Sequence, residues 1–270
     1  MTRNLGWVLA GAVSLAGIGA ASAADMAVKA RPLPPPVYSW TGCYIGLSAG
    51  GKGVRTRDTV NIPAAPPIAA SSIFLGELED VTWIAGGQAG CNYQSGNWVF
   101  GIEGDAHAQK WVTSSILAGA LPPVFAAGDI FELRSDWQAS ARARVGYAMD
   151  RTLFYVTGGA AFTQVRAYSN WVPVGPLPGT IAYDSRTLTG WTIGAGVEHA
   201  VTNNFTLGIE GRYSDYGTQR FNAGPLAVFI GQAAPIPVFS NTYRDVKIET
   251  GEVMVKANWK FGPGAVVAKY

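Results

Sequence analysis

The chain is poor in the residues that most often carry chemistry. Cysteine and histidine occur twice each among 270 residues. Neither cysteine stands in a CxxC pair or has histidine at ligand spacing, so no metal site and no cofactor is indicated. Only 14% of residues are charged and the net charge is +2, too little to imply a nucleic-acid partner or a basic membrane-binding patch. Beyond the N-terminus no run approaches 18 apolar residues, which excludes helical membrane spans. His107 and His199 are isolated, with no serine or cysteine fixed beside either by a motif. A lipid deacylase or acyltransferase built on a barrel would need a His–Ser–acid constellation. No catalytic residue is therefore nominated, and the chain reads as a non-enzyme.

Glycine and apolar residues are plentiful instead: 34 glycines, with 48% of the chain hydrophobic. Arg3, the uncharged run "LGWVLAGAVSLAGIGA" and Ala21-Ser22-Ala23 fit a cleavable signal peptide over residues 1–23. Export places both cysteines in an oxidising compartment. Residues 24–39 follow, with prolines at 32, 34, 35 and 36. They predict an extended periplasmic tether, leaving 40–270 as the folded domain.

That domain repeats a period of two. Eight segments alternate: 43–51, 83–93, 98–109, 137–147, 153–163, 190–199, 205–214 and 251–261. In "WQASARARVGY", Trp137, Ala139, Ala141, Ala143, Val145 and Tyr147 oppose Gln138, Ser140, Arg142, Arg144 and Gly146. Each run is near the roughly 9–11 residues of a tilted transmembrane strand, with aromatics toward the ends of its apolar face. The links alternate too. "QSGN", "MDRT" and "AVTNN" are short turns, while those near 52–81, 111–130, 167–187 and 217–246 are long. The pattern predicts an all-β fold: an eight-stranded antiparallel up-and-down transmembrane β-barrel with long extracellular loops.

Parity sends Glu103, Asp105, Glu198, Glu210 and Glu252 into the lumen with Arg142, Arg144, Arg212, Lys256 and Lys260, five acids against five bases. Unpaired charge is costly in a confined interior, so a connected ion-pair network is expected. A plug is favoured, because eight strands enclose little more than side chains. A narrow, low-conductance porin is the alternative, since inward glycines such as Gly86 and Gly159 leave room for water. The long links are rich in Pro, Ala and aliphatic residues. They either pack together as a cap, prolong the strands as hairpins, or meet a surface ligand of unknown identity.

In "WTGCYIG", "GGQAGCNYQSGNWVFGIEGD", "ARVGYAMDRTLFYVTGGAAF" and "VKANWKFGPGAVVAKY" the chain resembles the small outer-membrane β-barrel proteins of alphaproteobacteria, filed as porin-family or opacity-like surface antigens. The resemblance implies the outer membrane, a structural or surface-interaction role in the envelope, and a bilayer of outer-membrane lipid as surroundings. The final alternating strand and terminal Tyr270 suit recognition by the barrel-assembly machinery during insertion.

The first segment rises from the periplasm and the second descends, so Cys43 and Cys91 fall near the same end of adjacent strands. Pairing them gives the register Ile45–Ala89, Leu47–Gly87 and Ala49–Ala85, which preserves parity throughout. A Cys43–Cys91 disulfide is predicted; two neighbouring lipid-facing thiols are the alternative.

Overall fold

The computed structural model describes residues 38–64, 69–116, 128–173, 179–230 and 236–261. The predicted signal peptide, most of the predicted tether and Tyr270 lie outside them. Eight strands follow in chain order: β1 (Gly42–Ile62), β2 (Ser71–Ser95), β3 (Trp98–Ile116), β4 (Ile130–Met149), β5 (Thr152–Trp171), β6 (Thr180–Ala200), β7 (Phe205–Ile230) and β8 (Ile236–Phe261). Each pairs antiparallel with its neighbours, and β1 closes the ring on β8. The short links lie at one end, here the turn end. There Gly96 and Asp150 take the left-handed conformation that tight turns demand, with φ of 59° and 52°.

The strands are about twice as long as the alternating segments suggest; β1 has 21 residues and β7 has 26. The stretches read as long loops are mostly strand, so the hairpin option holds, and the reason lies in the side chains. Toward the turn end the outward positions are apolar, such as Ile45, Leu47, Ile209 and Val255, and the inward ones polar. Farther along the polarity reverses. Val54, Trp111, Leu133, Val165, Leu188, Phe221, Val246 and Ile248 form an inward apolar core, while Arg55, Glu79, Arg134, Arg166 and Arg220 point out with half-exposed side chains. One half suits hydrocarbon outside, the other water.

Exposed Trp83, Trp137 and Trp191 mark the reversal, and Tyr93, Trp98, Tyr147 and Trp259 ring the turn end. These two girdles bracket the apolar band.

The wall also divides at that level. The β2–β3 ladder ends at Ile84↔Gln109 and the β6–β7 ladder at Trp191↔Asp215. Beyond them β7-β8-β1-β2 and β3-β4-β5-β6 form two facing sheets around the apolar core. Isolated bonds bridge the seams: Thr82 Oγ1 to the Lys110 carbonyl (2.6 Å), the Val112 amide to Asp80 (3.0 Å), and the Asn222 amide to Asp184 (2.9 Å).

Cys43 and Cys91 are direct partners on β1 and β2 and are bonded, with Cα atoms 3.9 Å apart. The flanking register is Ile45↔Ala89, Leu47↔Gly87 and Ala49↔Ala85. The bridge lies on the outer face near the turn end.

Candidate functional site

The lumen of the turn-end half is the candidate site. Arg142 on β4 sits at its centre. Its Nη2 donates to Glu103 Oε1 (2.5 Å) and Asp105 Oδ2 (3.0 Å), and Nη1 donates to Glu210. Lys256 on β8 completes the cluster, 2.7 Å from Glu103 and 3.0 Å from Glu210. Arg144 meets Glu198 at 2.9 Å and lies 3.9 Å from the Tyr155 ring centroid. Arg212 joins Glu252 (2.6 Å) to Asp105 (3.1 Å). All these side chains are nearly solvent-free, so the mutual pairing answers a large desolvation cost.

Two members differ from expectation. Lys260 meets no carboxylate among the described residues. Its ammonium reaches the Ser39 carbonyl and lies 4.3 Å from the Tyr38 ring, because the chain entering β1 fills the mouth first. There Tyr38 and Trp40 pack on Val99, Leu153 and Tyr155. Lys52, assigned by sequence to a loop, contacts Glu252 at 3.2 Å and Gln109 at 2.7 Å. Its sequence signal is parity carried two residues farther along β1, obscured by Gly50, Gly51 and Gly53.

Inward glycines explain how side chains meet across an intervening strand. Tyr44, Gly90 and Glu103 form one row over β1, β2 and β3. With no side chain on Gly90, the Tyr44 hydroxyl crosses to Glu103 at 2.6 Å. A Cβ on Gly90 would stand 2.5 Å from that hydroxyl. Asn258–Gly46–Gln88 is a second such row, closed by a 2.8 Å bond. Ser48–Gly86–His107 and Tyr155–Gly196–Glu210 repeat the arrangement. At Gly86, where water was expected, a Cβ would meet the Ala106 carbonyl at 2.1 Å; at Gly159 it would meet the Ala141 carbonyl at 2.1 Å.

The third row brings Ser48 Oγ within 2.7 Å of His107 Nε2, and Asp105 Oδ1 lies 3.0 Å from Nδ1. The residue types are those of a hydrolase triad; the hydrogen-bond order is not. Glu198 accepts from Asn258, Asn258 accepts from Gln88, and Gln88 Oε1 accepts the Ser48 proton. His107 must therefore donate to Ser48, the reverse of a general base. The sequence presents His107 as isolated; its partner is Ser48, which the predicted β1–β2 register already puts opposite Gly86. His199 faces outward near the turn end, 3.0 Å from the Thr152 hydroxyl.

The sequence matches the family described as outer membrane protein beta-barrel domain over residues 11–264. The chain belongs to that family. Among curated family relatives, the 31 kDa outer-membrane immunogenic protein of Brucella melitensis biotype 1 is 33% identical over 251 residues, covering 89% of this chain and 93% of the relative. The 25 kDa outer-membrane immunogenic protein of Brucella abortus biovar 1 is 28% identical, with 94% and 97% covered. Among solved structures, the outer membrane protein OprG of Pseudomonas aeruginosa aligns over 84% of this chain and 99% of its own, at 10% identity and TM-score 0.46. The protein is thus an outer-membrane β-barrel of an alphaproteobacterial surface-antigen family. Its apolar outer band is the part that spans the bilayer.

Proposed function

We propose that this family member is a non-conducting envelope protein: a rigid barrel that anchors a protruding, charged surface for contact and mechanical integrity. One observation carries the reading: the Arg142 cluster fills the mid-lumen between two apolar layers. Leu133, Val165 and Ile248 lie above it, and Trp40 and Leu153 below. An ion entering from either side must cross an apolar layer, and the polar groups set beside those layers, Lys260 against the Ser39 carbonyl at the turn end and Asp58 against Arg244 at the loop end, already engage one another. A porin would need an aqueous path past Arg142, whose guanidinium touches three carboxylates. Catalysis is no part of this reading, since the Ser48 proton is committed to Gln88. Outer-membrane lipid around the band and the assembly machinery at insertion are the partners proposed.

Single-channel recording of refolded full-length protein in planar bilayers tests the proposal. The expected trace stays at background. Discrete conducting steps that change with Glu103→Gln or Arg142→Gln would establish the porin instead.

A further inference from the structure

Above the bilayer the wall carries one outward trough with an aromatic floor. Glu132, Tyr168 and Tyr183 form a row across β4, β5 and β6, and Arg134, Arg166 and Ser185 the row beneath it. The two tyrosine rings lie 5.1 Å apart, inclined at 44°. They floor a concavity of about 470 Å³. Tyr183 is 77% exposed and Ile181 56%, an apolar surface that water alone gives no reason to keep.

Arg134 and Arg166 face one another directly on the ladder, a placement that costs stability unless something anionic or polar spans it. Each is held by one carboxylate: Glu132 takes Nε and Nη2 of Arg134, and Asp136 takes Nη1 of Arg166 at 2.8 Å. Both arginines line the trough, together with the carboxylates of Glu132 and Asp184. On its β7 side β6 has no ladder partner from Thr180 to Gly190, where Asp184 takes the Asn222 amide.

Ring faces for sugar C–H groups, with planar forked donors and carboxylates for hydroxyls, make a pyranose-binding surface. Height selects the source. Tyr168 lies four residues beyond Gln164, which Trp137 touches, and eight beyond Ala160, the ladder partner of Trp191, roughly 10–20 Å above the girdle once strand tilt is allowed for. The trough lies on the outer face of the wall, where Tyr183 is exposed. What lies beside an outer-membrane barrel at that height is the saccharide of the outer-leaflet glycolipid.

We propose that the Tyr168–Tyr183 trough binds the acidic core saccharide of the surrounding lipopolysaccharide, seating a sugar ring on Tyr183 and an anionic group between Arg134 and Arg166.

Refolded full-length protein in detergent micelles, titrated calorimetrically with deacylated lipopolysaccharide core oligosaccharide, tests this. Heat-modifiable gel mobility would verify the fold of each variant. Tyr183→Ser and the double change Arg134→Gln/Arg166→Gln should each weaken binding about tenfold, and Tyr183→Phe should keep it within about twofold. Titrations that superimpose for the unaltered and Tyr183→Ser proteins would overturn the proposal. So would absence of core binding, or binding confined to a sulfated free glycan such as heparin. None of these outcomes depends on whether the lumen conducts.

Discussion

Lys52 and Glu252 are direct ladder partners on β1 and β8, with 3.2 Å between Nζ and Oε1. They stand at the top of the charged lumen, where the interior turns to Val54 and Ile248. Glu252 also holds Arg212 at 2.6 Å and accepts from Gln138 at 2.8 Å. Neutralising it takes from Lys52 its one carboxylate among the described residues and leaves Arg212 to Asp105 alone, whereas removing Lys52 leaves Glu252 still paired with Arg212. Glu252→Gln should destabilise the barrel by about 3–5 kcal/mol and Lys52→Met by clearly less. Urea unfolding in micelles, followed by tryptophan fluorescence, would rank the two.

Gly90→Ala places a methyl group 2.5 Å from the Tyr44 hydroxyl. The expected cost is about 1–3 kcal/mol from overpacking and the lost Tyr44–Glu103 bond. Adding Tyr44→Phe should recover little, since the ring still fills the space. Double-mutant analysis of unfolding midpoints checks this. Full recovery would mean that the hydroxyl alone matters.

The two halves should answer differently to truncation. Leu133 is fully buried in the loop-end core, so Leu133→Ala should cost about 2–5 kcal/mol. Leu47 is 71% exposed on the lipid face, so Leu47→Ala opens no cavity and should cost only the transfer term, about 1–2 kcal/mol and less than Leu133→Ala. Equal shifts in the unfolding midpoint would contradict the reversal of polarity.

Thiol labelling of unfolded, unreduced protein should find no free cysteine. Replacing Cys43 and Cys91 together should cost roughly 2–4 kcal/mol, as expected for a closed loop with a sequence separation of 48.

On the water-facing wall, the Lys247 ammonium beside Glu249, 2.7 Å away, and then the Tyr213 hydroxyl hold the Glu249 carboxyl below its usual range. A depressed carboxyl stabilises the fold above the ordinary carboxylate range. That contribution fades as pH falls through the folded value. NMR titration should find Glu249 low in the unaltered protein and nearer ordinary in Lys247→Met.

The turn-end half of the fold was legible because hydrocarbon outside and charge inside leave one unambiguous alternation. The loop-end half was not, although Arg55 and Arg57 alternate just as regularly with Val54 and Thr56. There the apolar positions keep the inward parity of Ser48 and Lys52, so the apolar set changes face. A reader following apolar residues loses the strand at the crossing. Of the lumen charges, Lys260 faces inward as its parity requires, but it meets the Ser39 carbonyl instead of a carboxylate, because Tyr38 and Ser39 lie in a segment read as tether. Ser48 was overlooked because its partner His107 lies two strands away, reachable only across Gly86.

Those glycine rows also bear on how the ring assembles. A bond such as Tyr44–Glu103 or Gln88–Asn258 exists only when three consecutive strands are in register together. No isolated hairpin can form it, and a slip of two residues replaces the glycine with a side chain that blocks the crossing. Each row therefore checks alignment over three strands at once. Closure of the barrel should be correspondingly cooperative, with stability gained late and nearly all together.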